Sequence, residues 1–274
     1  MDIQEETRLC AEGLQQQLSE IPDTAIILGS GLGSFVDAID IEQEIPYTDL
    51  PHFLYTTVAG HAGKLLKGKL SGRSILCLQG RVHSYEDQQP RFMTVALRAL
   101  KSIGVKNLII TSAVGSLQES MPAGSLMMVT DHINFSGISP LAGPNDEAVG
   151  PRFPDMTQAY NEEHQQRMRS AARDANVQLH EGVFLMVRGP VFETPAEIRM
   201  FQILGADVVG MSMVPEVTLA HHCGLNVIGV AMITNLGAGM TANQLSHDET
   251  LSEGAKAASS MAQLLQAFIA NLDD

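Results

Sequence analysis

Short runs of apolar and β-branched residues alternate along the chain with longer segments in which apolar residues recur every three or four positions. The first pattern predicts strands and the second predicts amphipathic helices. Several predicted strands are apolar throughout, which is typical of strands buried in the middle of a sheet. The predicted strands are 24–28, 64–70, 74–79, 107–113, 125–130, 181–187, 207–209 and 226–233. The predicted helices are 6–18, 91–103, 160–175, 195–204, 215–223 and 247–271.

Two of the helices carry start signals. Thr194 and Ser246 each stand three residues before a glutamate, which is the spacing of a helix capping box. The longest segment without a regular pattern is 132–156, and it is rich in glycine and proline. A loop of that length in a compact chain is more often functional than idle, so we expect it to have a functional role.

The order of the elements predicts the fold class. Strands and helices alternate, and no composition break or linker divides the 274 residues. With 45% hydrophobic residues the chain can bury a sizeable core. We therefore expect residues 1–274 to form a single α/β domain.

Composition narrows the function. The chain has 17 basic and 31 acidic residues, a net charge of −14, which argues against nucleic acid or an anionic membrane as a partner. The acidic N-terminus lacks the pattern of a signal peptide, and no apolar run reaches the ~18 residues of a membrane span, so a cytoplasmic location is expected. Three widely separated cysteines, Cys10, Cys77 and Cys223, indicate neither a disulfide framework nor a metal site.

A glycine loop, Gly29-Ser30-Gly31-Leu32-Gly33, follows the first predicted strand. It lacks the Lys-Ser/Thr pair of a mononucleotide loop, which excludes that site. A dinucleotide fingerprint has glycine at position 34 and an acidic residue at the end of a second strand, whereas this chain has Ser34, and Asp49 lies in a proline-bounded loop. These differences weaken the case for an NAD site but leave it open. The remaining interpretation is a loop whose N–H groups and Ser30 hydroxyl bind a small anion such as inorganic phosphate; a simple tight turn is the alternative.

Polar residues follow other predicted strands as well. Arg81 and His83 lie on one side of the segment after 74–79, and a guanidinium beside an imidazole is suited to phosphate. The turn 111–116 brings a second set of small residues whose amides face the same edge. Phe192 and Glu193 precede a helix, where the ring can stack on a planar base and the carboxylate can accept from its N–H groups. Taken singly, each segment is equally well explained as a polar or packing turn.

Taken together, these segments resemble the trimeric, low-molecular-mass purine nucleoside phosphorylases. The resemblance covers nearly the whole chain and implies a mixed α/β fold around a distorted, partly closed barrel surrounded by helices. It implies reversible transfer of a ribosyl or deoxyribosyl group from a purine, mainly a 6-oxopurine, to phosphate in purine salvage. The segments that carry it are Gly29-Ser30-Gly31-Leu32-Gly33, Gly60-His61-Ala62-Gly63, 80–86, Gly143-Pro144-Asn145-Asp146, 189–194, Gly210-Met211-Ser212, Val214-Pro215-Glu216 and Ile233-Thr234-Asn235.

The resemblance also implies roles for individual residues, with His83, Glu193 and Asn235 closest to the chemistry. It implies no cofactor beyond inorganic phosphate as co-substrate, no metal, and a homotrimer in which Phe153 completes a neighbouring subunit's sugar site. The implied phosphate ligands are Ser30, Arg81, His83, the Ala113 amide and Ser212. The implied sugar contacts are Tyr85, Met211, His247 and Phe153, and the implied base contacts are Phe192, Glu193, Val209 and Asn235.

Some positions depart from the family pattern or point elsewhere. Ser112 stands where many members have asparagine, Met213 stands where some have threonine, and 236–240 follows a bacterial pattern that leaves xanthosine open as a substrate. Methylthioadenosine phosphorylases typically carry Asp at the position of Asn235 and an apolar residue at that of His247, so both positions argue against that sister activity.

The alternative of an NAD-dependent oxidoreductase rests on the glycine loop alone. His61 is interpreted as a structural or supporting residue, and the adjacent pair at 221–222 faces two directions and cannot chelate one metal.

Overall fold

The computed structural model describes residues 2–58, 61–86, 93–241 and 245–272, and in the last range the side chains of 247–251 and 256 are not described. The strands are β1 Thr24–Ile27, β2 Asp40–Pro46, β3 Lys64–Leu70, β4 Arg73–Gln79, β5 Asn107–Ser116, β6 Leu126–Asn134, β7 Leu179–Met186, β8 Val208–Gly210 and β9 Asn226–Leu236. The helices are α1 Ile3–Gln17, α2 Thr94–Ser102, α3 Glu162–Asp174, α4 Pro195–Ile203, α5 Val214–His222 and α6 His247–Ala270. Two short 3₁₀ helices, Gly33–Ala38 and Tyr47–Asp49, flank β2.

These strands form one mixed sheet in the order β2-β3-β4-β1-β5-β8-β7-β6-β9, and β9 also pairs with β5. Because β5 and β9 are partners, the five strands β5, β8, β7, β6 and β9 close into a barrel, and the other four extend from it. β4, β1, β5 and β9 run parallel, so their carboxyl ends meet at one edge. The predicted mixed α/β fold around a distorted barrel is confirmed, and the barrel that was expected to be partly closed is closed by the β5–β9 pairing.

Helices cover both faces of the sheet. In β1, Ala25 and Ile27 pack into one apolar cluster, whereas Ile26 packs into another on the opposite face. This is the two-residue alternation of a strand with both faces buried. Side chains of α2 and α5 belong to the first cluster, and side chains of α3 and α6 belong to the second. The sheet is therefore the middle layer, and its loops at the parallel strand ends are left free to build a site.

Most predicted elements are confirmed to within a few residues, and the differences have physical causes. β2 was not predicted, because it is an edge strand in which only Ile45 is buried and most of its other residues are exposed. β6 continues to Asn134, three residues into the segment predicted as irregular from 132, so the loop begins later. α3 begins at Glu162 rather than at 160, because the Asn161 side chain caps it by accepting from the His164 amide.

The capping box at Thr194 is confirmed: its hydroxyl accepts from the Glu197 amide at 3.3 Å, and the Glu197 carboxylate accepts from the Thr194 amide at 2.7 Å. The box ends the loop before α4 at a defined residue. The side chain of Glu249, the predicted capping partner of Ser246, is not described. Residues 91–92, at the predicted start of α2, also lie outside the described residues. In the described part of the chain, the helices are all too short or too polar to cross a membrane.

Candidate active site

A cavity of about 370 Å³ opens at the edge where the parallel strands end. This volume suits a small molecule. Its wall is formed by the segments after β1 and β4, by the last parts of β5 and β9, and by the segments after β7 and β8. The predicted site residues in the wall are Ser30, Arg81, His83, Tyr85, Ala113, Phe192, Glu193, Val209, Met211, Ser212 and Asn235.

The glycine loop does not have the surroundings of a dinucleotide site. Ser30 and Gly29 line the cavity, and the chain then enters the 3₁₀ helix Gly33–Ala38. A dinucleotide fold places its pyrophosphate at the N-terminus of an α-helix, which this loop does not open. A Cβ on Gly29 would lie 2.9 Å from the backbone of Ser112, so the glycine permits close contact between the β1 and β5 ends.

Arg81 is fully buried beside the cavity and is held by an ion pair. Its Nη1 donates to Glu216 Oε1 at 3.0 Å, and its Nη2 donates to the Thr111 carbonyl. Burial lowers the pKa of Arg81, and the negative charge of Glu216 opposes that effect. Among the described residues, Nε of Arg81 and Oε2 of Glu216 have no hydrogen-bond partner. The guanidinium is thus fixed in place with donor capacity left for a ligand.

Glu216 was not predicted to be functional, although it lies within a segment that carried the resemblance. It belongs to the first turn of α5, directly after Pro215. The same turn follows Ser212, whose Oγ lies 2.9 Å from that of Ser112. Ser112, which departs from the family pattern, therefore contacts Ser212 and lines the cavity itself. The sequence offered one signal for Glu216, a carboxylate directly after a proline at a predicted helix start. No local pattern, however, connects it with Arg81, 135 positions away.

His61 lies beneath the glycine loop and connects it to the Arg81 backbone. Its Nε2 is 3.1 Å from Ser30 Oγ, and its Nδ1 is 2.9 Å from the Arg81 carbonyl and 3.1 Å from the Arg81 amide. Burial lowers the pKa of His61 to about 4, so the ring is neutral at pH 7. Its placement agrees with a supporting role; Gly60, in the same segment, lies outside the described residues.

His83 is oriented by Glu86. Oε1 of Glu86 accepts from the His83 amide at 2.7 Å and lies 3.0 Å from Nδ1 of the ring, so Nε2 is the nitrogen left for a ligand. Burial by itself raises the pKa of Glu86, but hydrogen bonds from His83 and Thr57 outweigh it and bring the pKa to about 2. The His83 ring also stacks on Tyr85, with centroids 4.8 Å apart. An acceptor and an aromatic neighbour thus hold the imidazole from two sides.

A second group of wall residues is suited to a planar heterocycle. Phe192 remains 39% exposed, and Val209 and Met211 add apolar surface. Burial raises the pKa of Glu193. The Asn235 side chain donates from Nδ2 to the Leu236 carbonyl at 3.0 Å and lies 2.9 Å from the Thr234 hydroxyl. Thr234 also lines the cavity, although it was not predicted as a site residue. The sequence signal that could have identified it is a polar residue beside Asn235 in an otherwise apolar strand.

Two predicted site residues remain outside the described wall, for different reasons. Phe153 is 87% exposed on the loop between β6 and α3 and does not line the cavity of its own chain. His247 is the first residue of α6, and its side chain lies outside the described residues. Of the adjacent histidines at 221–222, His222 is buried, and Nε2 of His221 lies 2.7 Å from the Asp155 carbonyl.

Comparison with known proteins agrees with this geometry. The sequence model of the phosphorylase superfamily matches residues 23–270. Purine nucleoside phosphorylase 1 of Geobacillus stearothermophilus is 42% identical over 96% of both chains, and the purine nucleoside phosphorylase of Bos taurus is 40% identical over 96% of this chain and 93% of its own. A Schistosoma purine nucleoside phosphorylase solved with hypoxanthine superposes with a TM-score of 0.91 at 36% identity, covering 98% of both chains. A further Schistosoma mansoni isoform, solved with cytosine and ribose-1-phosphate, also scores 0.91 at 37% identity. The chain therefore belongs to the phosphorylase superfamily and, within it, to the purine nucleoside phosphorylases.

Proposed function

We propose that this enzyme catalyses reversible phosphorolysis of purine ribonucleosides and deoxyribonucleosides to the free base and (deoxy)ribose 1-phosphate, as a step of purine salvage. The observation that carries the proposal is one cavity wall with two chemistries. Arg81, His83 and Ser212 offer cationic and donor groups, whereas Phe192 and Glu193 offer a ring face and a carboxylate. The relatives named above, including one solved with hypoxanthine and one with ribose-1-phosphate, support this assignment.

Inorganic phosphate is the proposed co-substrate, and no other cofactor is needed. Cleavage of the glycosidic bond develops positive charge on the sugar, as in glycoside hydrolysis. A phosphate held by Ser30, Arg81, His83, the Ala113 amide and Ser212 stabilises that charge and then forms the bond to the anomeric carbon. The purine leaves with the electron pair of the broken C–N bond. Asn235 stabilises the resulting negative charge through a hydrogen bond from its amide.

We propose that the enzyme is of the bacterial type and prefers 6-oxopurine nucleosides, with inosine and guanosine as its substrates. A 6-oxopurine carries an N1–H donor and an O6 acceptor. The Glu193 carboxylate accepts from the first, and the Asn235 amide donates toward the second. A 6-aminopurine has the opposite pattern at both positions, which leaves buried polar groups unpaired. Tyr85, Met211 and His247 are the proposed sugar contacts, with Phe153 supplied by a neighbouring subunit of a homotrimer.

Product analysis tests the proposal. The purified enzyme is incubated with inosine, guanosine, xanthosine, adenosine and methylthioadenosine, each with and without phosphate. We expect hypoxanthine and ribose 1-phosphate from inosine only when phosphate is present. Release of free ribose at the same rate in phosphate-free buffer would contradict phosphorolysis, and fastest turnover of methylthioadenosine would contradict the proposed base and sugar contacts.

A further inference from the structure

β9 carries a bulge where it passes the cavity. Its pairing with β5 runs in register from Asn226 to Ile233, which is opposite Val114, and then skips one residue so that Asn235 is opposite Gly115. The extra residue is Thr234. A bulge changes the direction in which the following side chain points, and bulges are frequent beside active sites. Here both Thr234 and Asn235 line the cavity, which regular alternation would not allow.

The hydrogen bonds around the bulge determine which way the Asn235 amide faces. The Leu236 carbonyl is only an acceptor, so the group 3.0 Å from it must be the Nδ2 donor. Oδ1 then faces the Thr234 hydroxyl at 2.9 Å, and that hydroxyl must donate to it. The other acceptor near the hydroxyl, the Val114 carbonyl, is farther away at 3.2 Å. The two ends of the amide thus each have one partner, Thr234 for Oδ1 and the Leu236 carbonyl for Nδ2.

The opposite strand limits the amide further. A Cβ on Gly115 would lie 3.1 Å from Asn235 Nδ2 and 3.5 Å from Val209 Cγ1. The amide therefore lies against bare backbone, in a gap that only glycine leaves open. Two hydrogen bonds and this close packing leave Nδ2 with one N–H for a ligand and leave Oδ1 turned to Thr234.

We propose that Thr234 is a positioning residue whose hydroxyl holds the Asn235 amide as a donor toward the base and thereby sets the preference for 6-oxopurines. This inference rests on the proposed function. In the held orientation the free N–H of Nδ2 meets an acceptor at position 6 of a 6-oxopurine. Without the hydroxyl, Oδ1 loses its donor partner, and only the bond from Nδ2 to the Leu236 carbonyl still orients the amide. The amide is then held less strictly as a donor toward position 6, and the enzyme discriminates less between 6-oxopurines and 6-aminopurines.

The test compares Thr234→Val, which removes the hydroxyl at nearly constant volume, with Thr234→Ser, which keeps it. Thr24→Val is the matched control, because Thr24 is also a buried strand threonine with hydrogen-bonded neighbours and does not line the cavity. We measure kcat and KM for inosine and adenosine at saturating phosphate, the dissociation constants of hypoxanthine and adenine, and the melting temperature.

We expect Thr234→Val to lower the inosine-to-adenosine ratio of kcat/KM, and the matching ratio of base affinities, by roughly three- to tenfold, the effect of one lost hydrogen bond. Thr234→Ser and Thr24→Val should keep both ratios. An unchanged ratio in Thr234→Val, or equal losses on both bases, would overturn the inference. If Thr234→Val does not fold, Thr234→Ala replaces it.

The affinity ratio separates this inference from the proposed function. A wild-type enzyme that forms no ribose 1-phosphate from inosine contradicts the proposed function, whatever the variants do. A wild-type enzyme that binds hypoxanthine better than adenine, with a Thr234→Val variant that does not lose this preference, contradicts the role of Thr234 alone.

Discussion

At the scale of single residues, the cavity depends on charges that are buried and paired. Arg81 and Glu216 are almost completely removed from solvent, and one hydrogen-bonded contact joins them. Such a pair adds little net stability compared with apolar residues, but removing one partner leaves the other charge buried alone. The pair therefore keeps a cation at a fixed position beside the cavity, where we propose that phosphate binds.

Glu216→Ala should lower the free energy of unfolding by about 3–5 kcal/mol, because it leaves Arg81 without a counter-charge. Denaturant unfolding measures this loss, with Glu5→Ala in the exposed Glu5–Arg8 pair as the control, for which we expect a much smaller change. Added phosphate should raise the melting temperature of Glu216→Ala more than that of the wild type, because it supplies the missing negative charge. Equal stability losses in the two variants would contradict the importance of this pair.

The proposed role of Glu193 predicts that base binding depends on pH. Burial raises its pKa above the ordinary 4.5, so the carboxylate needed to accept from N1–H is lost on acidification at a higher pH than an exposed glutamate would require. We expect hypoxanthine affinity to fall as pH decreases through that raised pKa. Calorimetric titration without phosphate measures this and avoids the titration of phosphate itself. Glu193→Gln should bind more weakly at neutral pH and lack the acid-dependent fall; a Gln variant with the wild-type profile would show that another group titrates.

At the scale of elements, one carboxylate joins two segments that frame the cavity. Glu86, in the turn after β4, accepts from the amide and hydroxyl of Thr57 at 2.6 Å each, in addition to its contacts with His83. Thr57 belongs to the segment before β3, and Val58 beside it lines the cavity. The position of His83 and the position of this segment are therefore coupled through Glu86.

Glu86 should contribute to stability in a pH-dependent way. Its pKa of about 2 in the folded protein lies below the ordinary 4.5, so its contribution is fully present above pH 4.5 and is lost as pH falls toward 2. We expect Glu86→Gln to be less stable than the wild type at pH 6, with the difference shrinking between pH 4.5 and 2. Urea unfolding at several pH values measures it. A stability difference that stays constant over this range would mean that the carboxylate charge is not responsible.

At the scale of the whole molecule, several large apolar side chains remain exposed on the chain by itself. Phe153 is 87% exposed, Ile203 is 86% exposed, and Val191, next to the cavity residue Phe192, is 77% exposed. Exposed apolar side chains favour association where they form a contiguous patch. They are consistent with the proposed homotrimer, in which Phe153 of one subunit reaches the sugar site of another.

Mixed oligomers test that arrangement. Phe153→Ala and Glu193→Ala subunits should each have little activity, and a mixture of the two should regain part of it, because some sites then combine an intact Glu193 with an intact neighbouring Phe153. Inosine phosphorolysis before and after mixing measures the gain, and differently tagged subunits confirm exchange. Exchange without any gain in activity would show that Phe153 acts within its own chain or not at all.

Local sequence patterns were enough to predict most elements, the fold class and the residue types around the cavity. These depend on local chemistry: the alternation in β1, the capping box at Thr194 and the glycine loop can each be recognised from neighbouring residues. Eleven of the predicted site residues line one cavity, because residues at the ends of parallel strands come together once the strands pair. Their individual roles remain predictions that the experiments above test.

The contacts between distant segments could not be predicted from these patterns. The pairing of β5 with β9 closes the barrel, and β2 is a strand only because β3 offers it an edge. Glu216 becomes the partner of Arg81, 135 residues away, only when α5 packs against the end of β5. The bulge at Thr234 is a change of register between two strands, which neither strand's own pattern contains. Local sequence determines which conformations a segment favours, but the contacts between segments depend on packing across the whole core.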